Sequence, residues 1–262
     1  MEWITSRANP IVQALAALRQ RKHRQQQGFS LAEGLHLVAE AFAARSTIAA
    51  LIVARRAAGR PEVAALEKEA RSRGIEILRL GDGCYDKISE LTSPEGVAIT
   101  VSTATPCVES LLVGAARLLV AAGVQDPGNA GALVRTAEAA GASGCVFLGG
   151  VDLSHPRFLR GAQGSSFRLP CAAALEGAFL AALAKTSIRL LVADSRPGTD
   201  YASADYRPPV AIVVGGEGQG VSASLIAAAQ DRLSIPMTPP VESLNVAVAA
   251  GVLLYQARRQ WR

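Results

Sequence analysis

The 262-residue sequence is short of the residues that bind metals or form disulfides. Four cysteines (Cys84, Cys107, Cys145 and Cys171) and three histidines (His23, His36 and His155) are spread thinly along it. None stand in paired spacings, so neither a zinc pattern nor a disulfide framework can be assembled. Reduced, mostly structural thiols in a cytoplasmic protein without a metal are the expectation. Long apolar runs are also missing. The longest, Leu244 to Tyr255 with Asn245 inside it, is too short to span a bilayer, so no membrane role is expected. The opening Met1-Glu-Trp-Ile-Thr-Ser-Arg7 lacks the charged-then-apolar layout of a secretion signal. There is no internal repeat and no low-complexity segment. Acidic residues are absent between Glu2 and Glu33, where Arg7, Arg19, Arg21, Lys22 and Arg24 fall. A cationic patch of this kind suits a polyanion such as RNA, although cations at the end of a helix also favour its dipole and face water in any case.

What is present describes an ordered α/β protein. Half of the residues are hydrophobic and 19% are charged, a balance that supports a packed core. Asn9-Pro10 reads as an N-cap followed by proline at the first helical position, with Ile11, Leu15 and Leu18 as the buried stripe. Strands at Phe29–Ala32, Ala49–Val53, Ile75–Leu78 and Val97–Ser102 alternate with helices at Leu35–Ala44, Pro61–Arg73 and Tyr85–Leu91, giving a small α/β domain over residues 1–102. The polar stretch Ser102-Thr-Ala-Thr-Pro-Cys107 marks a linker, taken as 103–112. Alternation then restarts over 113–262. Its strands include the wholly apolar Val210–Val214, as expected of a parallel sheet buried on both faces.

Three segments of the second domain carry chemistry. The first, Asp126-Pro-Gly-Asn-Ala-Gly-Ala-Leu-Val-Arg-Thr-Ala137, leaves a strand, turns and starts a helix. Asn129 stands near the helix start and Arg135 six residues on. A guanidinium there can hold a phosphate bidentately, or Asn129 is a cap and Arg135 an ordinary surface arginine. The second, Val213-Val-Gly-Gly-Glu-Gly-Gln-Gly-Val221, is a strand entering a glycine-dense loop that lets backbone approach a flat ligand. A nicotinamide oxidoreductase reading fails here. Glu217 would repel a pyrophosphate, and no acidic residue follows at the end of a second strand. The third is Ile235-Pro-Met-Thr-Pro-Pro-Val-Glu-Ser-Leu-Asn-Val246. It runs from a strand through a proline-stiffened turn into an apolar helix, Val246–Gln256, whose entrance carries Ser243 and Asn245. Helix starts offer unpaired N–H groups to electron-rich ligands.

Taken in this order, the three segments resemble the three motifs of the SpoU (TrmH-type) RNA 2′-O-ribose methyltransferases of the SPOUT superfamily. The likeness spans the second domain. Ile4-Thr-Ser-Arg-Ala-Asn-Pro10, Arg21-Lys-His-Arg24 and Ala32-Glu-Gly34 also resemble the family's ribosomal-protein-like α/β/α substrate-binding domain. That resemblance implies an RNA-facing role for Arg7, Arg21, Lys22 and Arg24. Leu159-Arg-Gly-Ala-Gln-Gly-Ser-Ser166 is similar to a stretch near the family's active site, with Arg160 and Ser165 toward substrate. The resemblance implies an α/β domain with a deep trefoil knot over roughly Leu190 to Gln256. It implies S-adenosyl-L-methionine held by Gly215, Gly216, Ile235, Met237, Ser243 and Leu244, largely through backbone. Asn129, Arg135, Glu217, Ser243 and Asn245 would surround the reacting ribose, and the domain would form a homodimer through its apolar last helix. One departure stands out: Thr238-Pro239-Pro240 fills a turn where the family usually has a glycine. The expected reaction is ribose 2′-O-methylation of structured RNA, ribosomal RNA ahead of transfer RNA, whose enzymes in this family more often carry helical extensions. A non-catalytic RNA-binding or ribosome-assembly factor of the same fold is the rival from another class.

Overall fold

A computed structural model describes residues 3–216 and 220–261. In chain order its elements begin α1 (Pro10–Ala17), α2 (Arg21–Gln27), β1 (Phe29–Glu33), α3 (Leu35–Ala43) and β2 (Ile48–Ala54). α4 (Pro61–Ser72), β3 (Glu76–Leu80), α5 (Asp82–Ile88) and β4 (Val97–Ser102) follow. Then come β5 (Arg117–Ala122), α6 (Pro127–Ala140), β6 (Gly144–Leu148), α7 (Pro156–Ala162), β7 (Cys171–Ala174) and α8 (Glu176–Leu183). The chain continues through β8 (Arg189–Ala193), β9 (Thr199–Asp200), β10 (Val210–Gly215), α9 (Ala223–Ala228), β11 (Asp231–Ser234) and α10 (Val246–Arg258).

Contacts divide the chain into two compact units. One reaches Ala104 and takes in Asp152–Phe167; the other holds Thr105–Val151 and resumes at Arg168. Composition marks only a single linker at 103–112, so it could not reveal that α7 leaves the second unit and packs on β1. Ser30 Oγ donates to the Ser154 carbonyl at 2.6 Å within that packing.

The first unit is a four-stranded sheet of order β1-β4-β2-β3, with β4 antiparallel to both neighbours and β2 parallel to β3. Two expectations are corrected in it. Val12 and Leu15 are buried with Leu18, whereas Ile11 is exposed. α1 ends at Ala17, so Leu18 reaches the core from the C-cap turn and does not define the helical face. The basic cluster, weighed as cations at the end of a helix, instead runs into the start of a separate helix, α2, with Arg21 and Lys22 opening it and Arg24 in its last turn. Gly28 closes it in the left-handed region at φ 71°, a conformation glycine adopts without steric penalty.

The second unit is a seven-stranded sheet of order β7-β6-β5-β10-β8-β11-β9, parallel throughout. Val210–Val214 of β10 are buried, because helices cover both faces of such a sheet. β5, β6 and β7 step outward one way; β10, β8, β11 and β9 step the other. Strand order therefore reverses between β5 and β10, and ligands of open parallel sheets bind beyond the strand carboxyl ends at such a point. Among the described residues, no helix is long and apolar enough to cross a membrane.

Candidate active site

Two helices that begin at the carboxyl edge of this sheet set the site. α6 starts because Asp126 accepts the Asn129 N–H at 2.8 Å and Pro127 occupies a position that needs no donor. It stops at Gly141, which turns the chain at φ 88°. Asp126, and not Asn129, is thus the cap. α10 begins at Asn245, whose Oδ1 accepts the Ala247 N–H at 2.9 Å. Its Nδ2 donates to Asn129 Oδ1 at 3.2 Å, across 116 residues of sequence. The first and third motifs therefore meet at one pair of amides. α10 packs on α6 and β10 through Val246, Ala250, Leu253, Leu254 and Ala257. Each fully buried leucine among them contributes about 1.5–3 kcal/mol.

Next to this pair lies a cavity of about 480 Å³ at the carboxyl ends of β8, β10 and β11. Gly215, Gly216, Ile235, Met237, Ser243 and Leu244 all line it. Its glycine wall is bare backbone by necessity. A Cβ on Gly216 would overlap the Gly123 carbonyl oxygen, and one on Gly215 would overlap the Gly220 backbone. The diproline turn stands between Met237 and Glu242, both in the wall, and is closed by the Val241 N–H donating to Thr238 O at 3.2 Å. Proline has no N–H, so the turn offers the cavity no backbone donor at Pro239 or Pro240.

Asp194 and Ser195 also line the cavity and were not anticipated. Their signal was an acidic residue directly after the apolar run of β8. Burial disfavours the Asp194 carboxylate, yet hydrogen bonds from Arg196 and the nearby Arg232 hold its pKa below the usual carboxylate range.

The other expected residues are placed as follows. Arg135 is exposed on α6 and has no hydrogen-bond or ion-pair partner among the described residues; it does not line the cavity of its own chain. Glu217 lies outside the described residues. Arg160 and Ser165 belong to the first unit, where Ser165 is buried, against the expectation that it faces substrate. Arg160 Nη2 is 3.9 Å from Glu90, and its Nη1 is buried without a hydrogen-bond partner among the described residues. Arg7, Arg21 and Lys22 are exposed. Arg24 is not: at 1% exposure it gives hydrogen bonds to the Leu18 and Arg19 carbonyls, to Ser154 Oγ and to Asp152. A buried guanidinium needs such partners. Its place among RNA-facing cations is therefore corrected to a structural one. Among the described residues, no group of three or more His, Cys, Asp or Glu side chains could hold a metal ion.

Comparison with known proteins agrees with this layout. Residues 116–255 match the profile of the SpoU rRNA Methylase family, and residues 9–98 match an MRM3-like substrate binding domain. The chain is 34% identical over 260 residues to an uncharacterized tRNA/rRNA methyltransferase of Synechocystis sp., covering 98% of this chain and 93% of the relative. It is 30% identical over 259 residues to the 23S rRNA (guanosine(2553)-2′-O)-methyltransferase of Bacillus subtilis, covering 98% of this chain and all of that enzyme (100%). The solved structure of an AdoMet-bound rRNA methyltransferase from Sinorhizobium meliloti superposes with a TM-score of 0.89 at 30% identity, over 98% of this chain and 97% of the other. The glycine wall, the paired Asn129 and Asn245, and the match over more than half of the chain make this protein a member of the SpoU rRNA methylase family.

Proposed function

We propose that this protein is an S-adenosylmethionine-dependent methyltransferase acting on ribose 2′-hydroxyls of ribosomal RNA. The observation that carries the reading is the meeting of the three motif segments. Two of them wall one cavity, and the first is tied to the third by the Asn245–Asn129 hydrogen bond. The cavity chemistry fits the donor. Glycine backbone at Gly215 and Gly216 suits the face of a flat ring, Ile235, Met237 and Leu244 supply apolar lining, and Glu242 and Ser243 supply polar groups.

When bound, S-adenosylmethionine supplies an electrophilic methyl group. The chain's own residues position the acceptor. Asn129 and Asn245 orient the ribose, and Ser243 holds it at the cavity mouth. Arg135 grips the adjacent phosphate and stabilises negative charge developing on the 2′-oxygen. A guanidinium hardly deprotonates in proteins, so the proton leaves to a neighbouring group or to water. Alignment of attacking oxygen and methyl carbon supplies much of the acceleration.

The active unit is a homodimer. α10 buries one stripe in its own unit yet leaves Val248 53% and Tyr255 51% exposed at i and i+7, with Val241 and Leu244 exposed just before the helix. Docking a second copy there covers them. A site completed at that interface also gives Arg135, which has no partner among the described residues, a substrate to act on. Leu190–Gln256 forms a deep trefoil knot, a reading supported by β10 entering between the earlier strands β5 and β8. The first unit delivers RNA through Arg7, Arg21 and Lys22, in line with the substrate-binding profile over residues 9–98. Ribosomal RNA as substrate is supported by the Bacillus subtilis relative. Ribosomal RNA and free thiols at all four cysteines both suit a cytoplasmic setting.

Calorimetry with S-adenosylmethionine tests the reading. One donor per chain, with tritiated methyl transfer to ribosomal RNA, is expected. A folded dimer that binds no donor would instead be an RNA-binding factor that kept the fold.

A further inference from the structure

A second cavity, of about 400 Å³, opens at the carboxyl ends of β6, β5 and β10, beside the reversal of strand order between β5 and β10. It shares Gly216 and Gly220 with the first cavity, so the two spaces adjoin at those residues. Its other walls are mostly main chain, at Gly123, Gly149 and Gly150, and three polar side chains reach it: Gln125, Glu176 and Ser222. A Cβ on Gly150 would overlap the Val124 carbonyl oxygen, so this wall also cannot carry a side chain. Bare backbone walls with few polar groups suit a flat heterocycle.

Glu176 is the distinctive element. One carboxylate oxygen, Oε1, accepts from both Ser222 Oγ and Ser224 Oγ, each at 2.7 Å, which fixes the group against the wall. The other oxygen, Oε2, has no hydrogen-bond partner among the described residues. An ionised carboxylate only accepts, and it retains lone pairs for further donors. Among the four RNA bases, guanine alone presents two adjacent donors, N1–H and the 2-amino group, on its pairing edge. Adenine and cytosine place a ring acceptor beside their amino group, and uracil flanks its single N–H with two carbonyls. Gln125 adds an amide donor suited to the guanine O6.

We infer that this second cavity takes the base of the target nucleotide and selects guanine through Glu176. This rests on the methyltransferase reading, because the two cavities adjoin at Gly216 and Gly220 and the base would sit beside the methyl donor. The base enters unstacked, because a pocket that surrounds one base cannot admit it within a stack.

The test uses the full chain saturated with S-adenosylhomocysteine, whose affinity is measured first. Failure at that first step would count against the donor site, not against the base pocket. Guanosine, inosine and adenosine 5′-monophosphates are then titrated by saturation-transfer NMR. Guanosine monophosphate should bind about tenfold or more tightly than inosine monophosphate, which lacks the 2-amino group, and than adenosine monophosphate. Glu176→Gln should lose the guanine preference and gain for adenosine monophosphate, since its amide NH₂ replaces Oε2 and meets the adenine N1 acceptor. Ser224→Ala, which keeps the carboxylate, should retain the preference. Three outcomes overturn the inference: equal or undetectable binding of the three nucleotides at millimolar concentration, a preference that survives in Glu176→Gln, or loss of S-adenosylhomocysteine binding in a folded Glu176→Gln protein. In the last case Glu176 serves the donor.

Discussion

Arg24 on α2 and Arg135 on α6 are the same residue type in opposite circumstances. Arg24 is buried and its guanidinium is hydrogen-bonded to two carbonyls, a serine and an aspartate. Arg135 is exposed and bonded to nothing described in its own chain. The first holds a fold together; the second is available for a substrate anion. Sequence proximity to other cations suggested the reverse emphasis for Arg24, because a charge run does not disclose a carboxylate 128 residues away.

The comparison breaks or sharpens under substitution, and the largest effect is expected at Arg24. Arg24→Ala removes the donor to the Leu18 and Arg19 carbonyls and leaves Asp152 with Ser154 and the more distant Arg21; it should cost about 3 kcal/mol of stability, read as a lower urea midpoint. If the midpoint holds and only RNA affinity falls, the two arginines do not differ as stated. Next comes Arg135→Ala, expected to lower kcat about 10²–10³-fold while donor affinity and Tm stay at wild-type values. An Arg135→Lys enzyme with full turnover would contradict a bidentate phosphate grip.

A smaller change is expected from Arg21→Ala and Lys22→Ala, which remove exposed cations. Each should weaken RNA binding uniformly across sequences and reduce the slope of log K against log salt by about 1. Electrophoretic-mobility titrations over a salt series would show it. The smallest effect belongs to His155, which caps α7 by accepting the Arg157 N–H on Nδ1 at 3.0 Å. Burial, and then the Arg24 cation, lower its pKa below 6.5. Because the folded pKa is the lower one, the folded state favours neutral imidazole. Its contribution is complete above pH 6.5 and is lost as pH falls from there toward the folded pKa. His155→Asn, a cap that does not titrate, should flatten the fall in Tm on mild acidification.

That Gly215, Gly216, Ile235, Met237, Ser243 and Leu244 share one cavity was legible in the sequence, because they sit in loops that follow apolar strands. Gly215 and Gly216 end β10, and Ile235 follows β11. Asn245 was legible as a helix start, and its cap hydrogen bond bears this out. The tie from Asn245 to Asn129 was not, since it depends on how α10 crosses α6 and not on either helix's own pattern. Helix α2 was hidden because its seven residues, Arg21–Gln27, are all polar and offer no apolar stripe to detect. The transfer of Asp152–Phe167 to the first unit escaped for a related reason. α7 has apolar residues suited to either core, and its packing on β1 with the Arg24–Asp152, Ser30–Ser154 and Arg160–Glu90 contacts ties the segment to the first unit. Asp194 could have been found by asking which polar residue ends each parallel strand.

The central claim is that the paired-asparagine site methylates a ribose oxygen. Incubating the purified protein with tritiated S-adenosylmethionine and unmodified ribosomal RNA, followed by alkaline hydrolysis, tests it most directly. A 2′-O-methyl group blocks cleavage of the adjoining phosphodiester, so the account predicts label in alkali-resistant dinucleotides. It also predicts that Asn129→Ala and Asn245→Ala abolish this label. Label recovered only in mononucleotides would mean that a base was methylated, and would contradict it.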